Sequence, residues 1–158
     1  MNRSLPAFAL GVSVLALDQA SKQLVLEKLE SGRTVEVIHG FFYLTQVHNT
    51  GAAWGILRDH GFWLMMLALG ALIFLCIVRR HFTHMGMVPR IALGLLLGGI
   101  AGNLTDRIVH GHVIDFLSFY IGSYPWPAFN VADSSICIGV GLYLVDLFRR
   151  GEESTPRA

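Results

Sequence analysis

The sequence predicts an all-α membrane protein with four transmembrane helices, and three observations carry that prediction. Only 15% of the 158 residues are charged, against about 25% in a soluble domain. The mean hydropathy is +0.54, and 53% of the residues are apolar. Those apolar residues are gathered into four runs near the roughly 17 to 25 residues with which a helix crosses a hydrocarbon core. A chain of this length holds one integral-membrane domain, residues 1–148, followed by a short polar cytoplasmic tail, 149–158.

The first run, Ser4 to Leu17, is long enough only if it continues through Asp18 to Leu26, so this span carries a carboxylate. Arg3 ahead of an apolar stretch also fits a secretory signal peptide, but no small-residue cleavage site follows, and Asp18 and Lys22 continue the helical pattern. Thr34 to Val47 is rich in β-branched and aromatic residues, interrupted by Gly40, which predicts short strands on the membrane surface. Gly61 to Val78 has neither charge nor proline and forms the second span. Ile91 to Thr105, extended to Val109, is the third and carries Asp106 and Arg107 at one end. Phe116 to Ala132 is uncharged too, yet Gly122, Pro125 and Pro127 interrupt it, which predicts a loop or re-entrant segment. Phe129 to Phe148, with Asn130, Asp133 and Asp146, forms the fourth span.

Cytoplasmic flanks of membrane helices carry excess Lys and Arg. With the N-terminus inside, Arg3, Arg79, Arg80, Arg90, Arg149, Arg150 and Arg157 fall on the inner side, and Lys22, Lys28, Arg33, Arg58 and Arg107 on the outer. Arg79, Arg80 and Arg90 in one short inner loop are the informative part. Both termini are therefore expected in the cytoplasm and the functional surface outside, where Phe41, Tyr43, Trp54, Trp63 and Trp126 belong to an interfacial aromatic belt. A net charge of +1 excludes the concentrated basic face of a nucleic-acid binder. Cys76 and Cys137 lie near opposite ends of their spans, so no disulfide is expected.

A charge at membrane depth costs roughly 2.5 to 3.5 kcal/mol, so each one calls for a reason. Asp18, Asp106, Arg107, Asp115 and Asp133 all fall at one membrane level. Asn103, Asp106 and Arg107 share a helix face, and Asn130 with Asp133 repeats the Asn-x-x-Asp spacing. A structural polar cluster, with Arg107 neutralising Asp106, accounts for the first group. Asp115 and Asp133 are harder to explain that way, because the segment between them holds no basic residue. Two carboxylates brought close do not both ionise at neutral pH, and such a pair activates water for hydrolysis. The residues alone do not choose this pair over Asp18 with Asp106. Gly94, Gly98 and Gly102 give two small-xxx-small steps that let a neighbouring helix approach closely. Asn49, Gly51, Ala52, Ala53 and Gly55 either offer backbone N–H groups to a substrate carbonyl or make an ordinary turn. His110 and His112 followed by Asp115 suggest metal ligands only weakly, as no HEXXH is present. Ser134 and Ser135 lack a histidine or lysine base in the same span.

Taken in order, Asp18-Gln19 with Lys22, Asn49-Thr50-Gly51-Ala52-Ala53-Trp54-Gly55, Gly98-Gly99 with Gly102-Asn103 and Asp106-Arg107, Val113-Ile114-Asp115-Phe116, and Phe129-Asn130-Val131-Ala132-Asp133 resemble the motifs of bacterial lipoprotein signal peptidase, signal peptidase II. The resemblance runs from about residue 5 to residue 148. It implies an intramembrane aspartic endopeptidase of the bacterial inner membrane, with four transmembrane helices, a small periplasmic β-cradle and a short periplasmic helix. Such an enzyme removes the signal peptide from prolipoproteins, cutting just before a lipobox cysteine that already bears a diacylglyceryl group. The resemblance implies Asp115 and Asp133 as the catalytic pair. It implies Asp18, Lys22, Asn49, Gly51, Asn103, Asp106, Arg107, Asn130 and Ala132 as substrate-binding or supporting positions. It further implies no metal or organic cofactor, a monomer in the phospholipid bilayer, and inhibition by globomycin-type cyclic lipopeptides. Trp54 departs from the phenylalanine of many members but keeps an aromatic ring. The alternative function class is a small ion- or proton-coupled transporter, which would need polar steps toward the cytoplasm that the second span lacks.

Overall fold

In the computed structural model, which describes residues 4–51, 57 and 60–153, four long helices carry one small antiparallel sheet. The helices are α1 (Leu5–Lys28), α2 (Gly61–Met85), α3 (Met87–His110) and α4 (Val131–Glu153). The strands are β1 (Thr34–Ile38), β2 (Phe42–Asn49), β3 (Val113–Ile121) and β4 (Tyr124–Pro125), in the spatial order β1-β2-β3-β4. Among the described residues three helices, α2, α3 and α4, are long and apolar enough to cross a membrane. α1 equals α3 in length at 24 residues, but Asp18, Gln19 and Lys22 dilute its apolar character. Among the described residues there is no short helix of the kind expected on the outer face.

Polarity is inverted relative to a soluble bundle. Leu17, Trp63, Leu67, Ile77 and Phe148 point outward, whereas Asp18, Lys22, Asn103, Asp106 and Asn130 are buried. That arrangement lets amides and carboxylates satisfy one another away from lipid. α3 is the central element, and α1, α2 and α4 all pack against it. Its small-residue face works as expected: a Cβ placed on Gly98 would lie 2.5 Å from the Gly11 carbonyl oxygen, and one on Gly99 2.5 Å from that of Ala132. Backbone therefore meets backbone at both interfaces. Gly11 on α1 and Gly139 on α4 are the complementary small residues, and the third-span pattern alone did not single them out.

Several boundaries differ from the sequence expectation. The basic residues Arg79 and Arg80 do not sit in a loop, because α2 runs on to Met85 and buries Phe82 against α3. α2 and α3 are joined by Gly86 alone, at φ 129°, a conformation that side chains disfavour. Phe116 to Ala132 is not simply a loop, since β3 runs from Val113 to Ile121 and pairs antiparallel with β2 as far as Phe119, its last two residues pairing with β4. Its β-branched and aromatic residues suit a pleated, half-buried surface, and Gly122 and the prolines interrupt the segment only beyond it. The strands expected within Thr34 to Val47 are present as β1 and β2. α4 continues to Glu153, into the stretch expected to be a polar tail.

The outer rings pack into the sheet. Phe119 is stacked on Phe42 at 4.8 Å between centroids and on Phe129 at 5.8 Å, and Tyr43 meets Tyr120 edge-on at 4.9 Å. Such pairs contribute about 0.5–1.5 kcal/mol beyond their buried area. They fix β2, β3 and the residues just before α4 as one unit. Trp54 lies outside the described residues.

Candidate active site

A cavity of about 660 Å³ opens between the end of β2, the start of β3 and the facing ends of α3 and α4. Asp115 and Asp133 both line it, with Asn49, Asn103 and Arg107. Local sequence explains each placement. β2 and β3 pair with Leu44 opposite Leu117 but Val47 opposite Asp115, so β2 carries one extra residue between these pairs. A one-residue slip exchanges the two faces of a strand. The bulge therefore puts Asn49, rather than His48, on the face of Asp115.

At the start of α4, the Asn130 Oδ1 accepts the Asp133 N–H at 2.9 Å, and the Asp133 Oδ2 accepts the Asn130 N–H at 3.2 Å. This is a reciprocal cap built from the Asn-x-x-Asp spacing. It fixes a carboxylate at the helix N-terminus, where the backbone dipole favours negative charge. The other Asn-x-x-Asp, Asn103 with Asp106, lies near the end of α3 and does different work.

Three amides hold the two cavity carboxylates. Asn49 and Asn130 donate to the two oxygens of Asp115 at 2.8 and 2.7 Å, and Asn103 donates to the Asp133 Oδ1 at 2.7 Å. Asn130 thus touches both carboxylates, and it is completely buried. Burial first, and then the charge of Asp133, push the Asp115 carboxyl up to about 7, against the lowering effect of the Asn49 and Asn130 hydrogen bonds. Asp115 therefore exchanges its proton near neutral pH, as acid–base chemistry requires.

The remaining buried carboxylates are engaged elsewhere. The Lys22 ammonium lies 2.8 Å from both Asp18 and Asp106, and Gln19 donates to Asp106 at 2.9 Å. Asp106 is thus neutralised by Lys22 across the bundle, and the expectation that Arg107 would do so is corrected. Arg107 is one position along α3 and points instead to the carbonyls of Asn103 and Gly51, at 3.3 and 3.0 Å. The alternative pairing of Asp18 with Asp106 gives two carboxylates bridged by one ammonium, each 2.8 Å from it, rather than a facing pair open to the cavity. Gln19 was visible only as the neighbour of Asp18, and nothing in the sequence marked its bond to α3.

The Gly51 N–H is given to the Asn49 Oδ1 at 2.9 Å, so it is not free for a substrate carbonyl. Ala52, Ala53, Trp54, Gly55 and Arg58 lie outside the described residues. His112 stacks on His48 at 4.2 Å between centroids and lies 5.9 Å from His110, while Asp115 turns away to its amides. Burial and the two neighbouring rings push the His112 imidazole down. Ser134 and Ser135 donate to the backbone carbonyls of Asn130 and Val131 at 2.9 and 2.8 Å. Both cysteines are free thiols, Cys137 at the cavity wall.

Comparison with known proteins adds three findings. The signal peptidase (SPase) II family profile matches residues 10–149. The lipoprotein signal peptidase of Azoarcus sp. (strain BH72) is 41% identical over 151 residues, covering 94% of this chain and 85% of that protein. Two bacterial membrane enzymes solved by the in meso method have the same fold. The first, at 2.3 Å resolution, gives a TM-score of 0.86 with 31% identity over 97% of this chain and 93% of its own. The second, at 1.9 Å, gives 0.76 with 34% identity over 90% and 92%.

Proposed function

Because this chain belongs to the signal peptidase II family, we propose that it cleaves diacylglyceryl-modified prolipoproteins just before the lipidated cysteine, using water activated between Asp115 and Asp133. Family membership makes it a peptidase of the inner membrane that acts on lipoprotein signal peptides, so the transporter reading is set aside. The observation that carries the finer reading is the shared hold of Asn130 on both cavity carboxylates. One ionised aspartate takes a proton from water, whose oxygen adds to the scissile carbonyl carbon. The other, protonated, gives its proton to the carbonyl oxygen. When the C–N bond breaks, the proton taken from water passes to the amine nitrogen of the cysteine, and the second aspartate takes a proton back from a hydroxyl of the tetrahedral intermediate as that becomes the carboxyl product, so the pair returns to its single-proton state. α1 serves as a span alongside α2, α3 and α4, both termini lie in the cytoplasm, and the site lies near the periplasmic face. The basic residues on the inner flanks support this orientation. The protein acts as a monomer, and a globomycin-type peptide competes for the cavity.

Incubation of the purified protein with a model prolipoprotein, with and without its diacylglyceryl group, tests the substrate. Mass spectrometry should find a new N-terminal cysteine only in the lipidated sample. Cleavage of both forms alike would remove the lipid requirement.

The pair works with one proton, so kcat/KM, which reports the free enzyme, should follow a bell-shaped pH profile. The raised pKa of Asp115 places its alkaline limb near 7. Activity falls above that pH as the last proton leaves, and falls in acid as the second proton binds. A flat rate from pH 5 to 9, about two units either side of 7, would contradict the mechanism.

A further inference from the structure

Lys22 has no place in the chemistry just described, yet it is a lysine only 2% exposed at the centre of the bundle. We infer that Lys22 is a positioning residue for the catalytic pair, whose ammonium fixes where Asp115 and Asp133 stand and which end of the Asn103 amide meets Asp133. The inference rests on the reading of Asp115 and Asp133 as that pair.

An ammonium has three N–H donors, and Lys22 gives them to Asp18 at 2.8 Å, Asp106 at 2.8 Å and the Asn103 Oδ1 at 3.1 Å. Each of the two aspartates then reaches one step further. The Asp106 Oδ2 accepts the backbone N–H of Ile114 at 3.0 Å, and the Asp18 Oδ1 accepts that of Ala132 at 2.8 Å. Ile114 immediately precedes Asp115, and Ala132 immediately precedes Asp133. One cation therefore ties together the two backbone positions on which the pair is mounted.

The third bond sets the orientation of an amide. The Asn103 Oδ1 receives Lys22 and the Asn130 Nδ2, both at 3.1 Å, which leaves the Asn103 NH2 to face Asp133 at 2.7 Å. The reversed amide would set NH2 against an ammonium and a carbonyl oxygen against a carboxylate. Lys22 thus makes Asn103 a donor to Asp133 without touching Asp133. A merely structural lysine would affect stability alone, whereas this one bears on the turnover step.

The test compares Lys22→Gln, and Lys22→Gln combined with Asp18→Asn, with the wild type on a diacylated model prolipoprotein. The combined variant removes one charge of each sign and leaves the net charge of the cluster unchanged. The expected result is a kcat at least about tenfold lower in a folded variant, with KM within about twofold. In Lys22→Gln the alkaline limb should also move to higher pH, because a nearby cation has gone. A folded variant with wild-type kcat and pH profile overturns the inference. So does a loss of kcat that only tracks lowered thermal stability, or a failure of both variants to fold, since either assigns Lys22 to stability. Asp115→Asn and Asp133→Asn are run alongside: if they cleave normally, the catalytic pair itself is wrong.

Discussion

Replacement of Asp115 or Asp133 by asparagine should abolish cleavage, each lowering kcat by at least about 10³-fold while the protein stays folded. Neither variant retains both a proton acceptor for water and a proton donor for the carbonyl. Because the two carboxylates act as one unit, the double variant should be scarcely worse than either single one. Cys76→Ala, within α2 and away from the cavity lining, should cleave as wild type does. Thermal unfolding of each variant separates lost chemistry from lost structure. A single asparagine variant with more than about a tenth of wild-type kcat would remove that residue from the mechanism.

The proposed pair would also account for the architecture around it. Two carboxylates in one buried cavity repel. Asn49, Asn103 and Asn130 counter this with short amide donors at 2.8, 2.7 and 2.7 Å, neutral groups that steady a negative charge without pairing it. A cation in direct contact would hold a carboxylate ionised and spoil the shared proton. The arrangement keeps Lys22 one amide removed from Asp133 and keeps the Arg107 guanidinium on backbone carbonyls.

The spans were legible because membrane helices announce themselves by apolar length, and their ends were less so. α2 reads as ending at Arg79 when charge is taken as the stop signal, yet a helix continues for as long as its inner face can bury Phe82. β3 was hidden because Gly122, Pro125 and Pro127 coloured a whole segment whose first half pairs with β2. Within the site, the Asn-x-x-Asp at Asn130 was visible as a spacing, and it acts as a helix cap. Its twin at Asn103 has the same spacing and a different fate, because what surrounds it is tertiary. Asp18 and Lys22, four positions apart, could be paired from the sequence, but the 84 positions between Lys22 and Asp106 close only in the fold. Asn49 faces Asp115 through a bulge that no local pattern marks.

Gly102→Ala should have an effect on turnover out of proportion to its size, and comparison with two other glycines shows why. An alanine at Gly141 meets nothing within 4 Å, so it should be neutral or add up to about 1 kcal/mol of helix propensity. At Gly98 the new methyl would lie 2.5 Å from the Gly11 carbonyl oxygen and 2.6 Å from the Val14 Cβ, so α1 must move off α3. That overpacking costs about 1–3 kcal/mol and should appear chiefly as lost thermal stability. At Gly102 the methyl collides with the Asp18 carboxylate and lies 3.2 Å from the Ala132 Cβ. Asp18 is the acceptor of the Ala132 N–H and a partner of Lys22, so pushing it aside disturbs the backbone just before Asp133. Gly102→Ala should therefore lower kcat at least about 10²-fold at temperatures where the variant remains folded, the size of loss that a 1 Å misplacement brings. Equal kcat for folded Gly98→Ala and Gly102→Ala would mean that α1 and α3 pack the bundle without aligning its carboxylates.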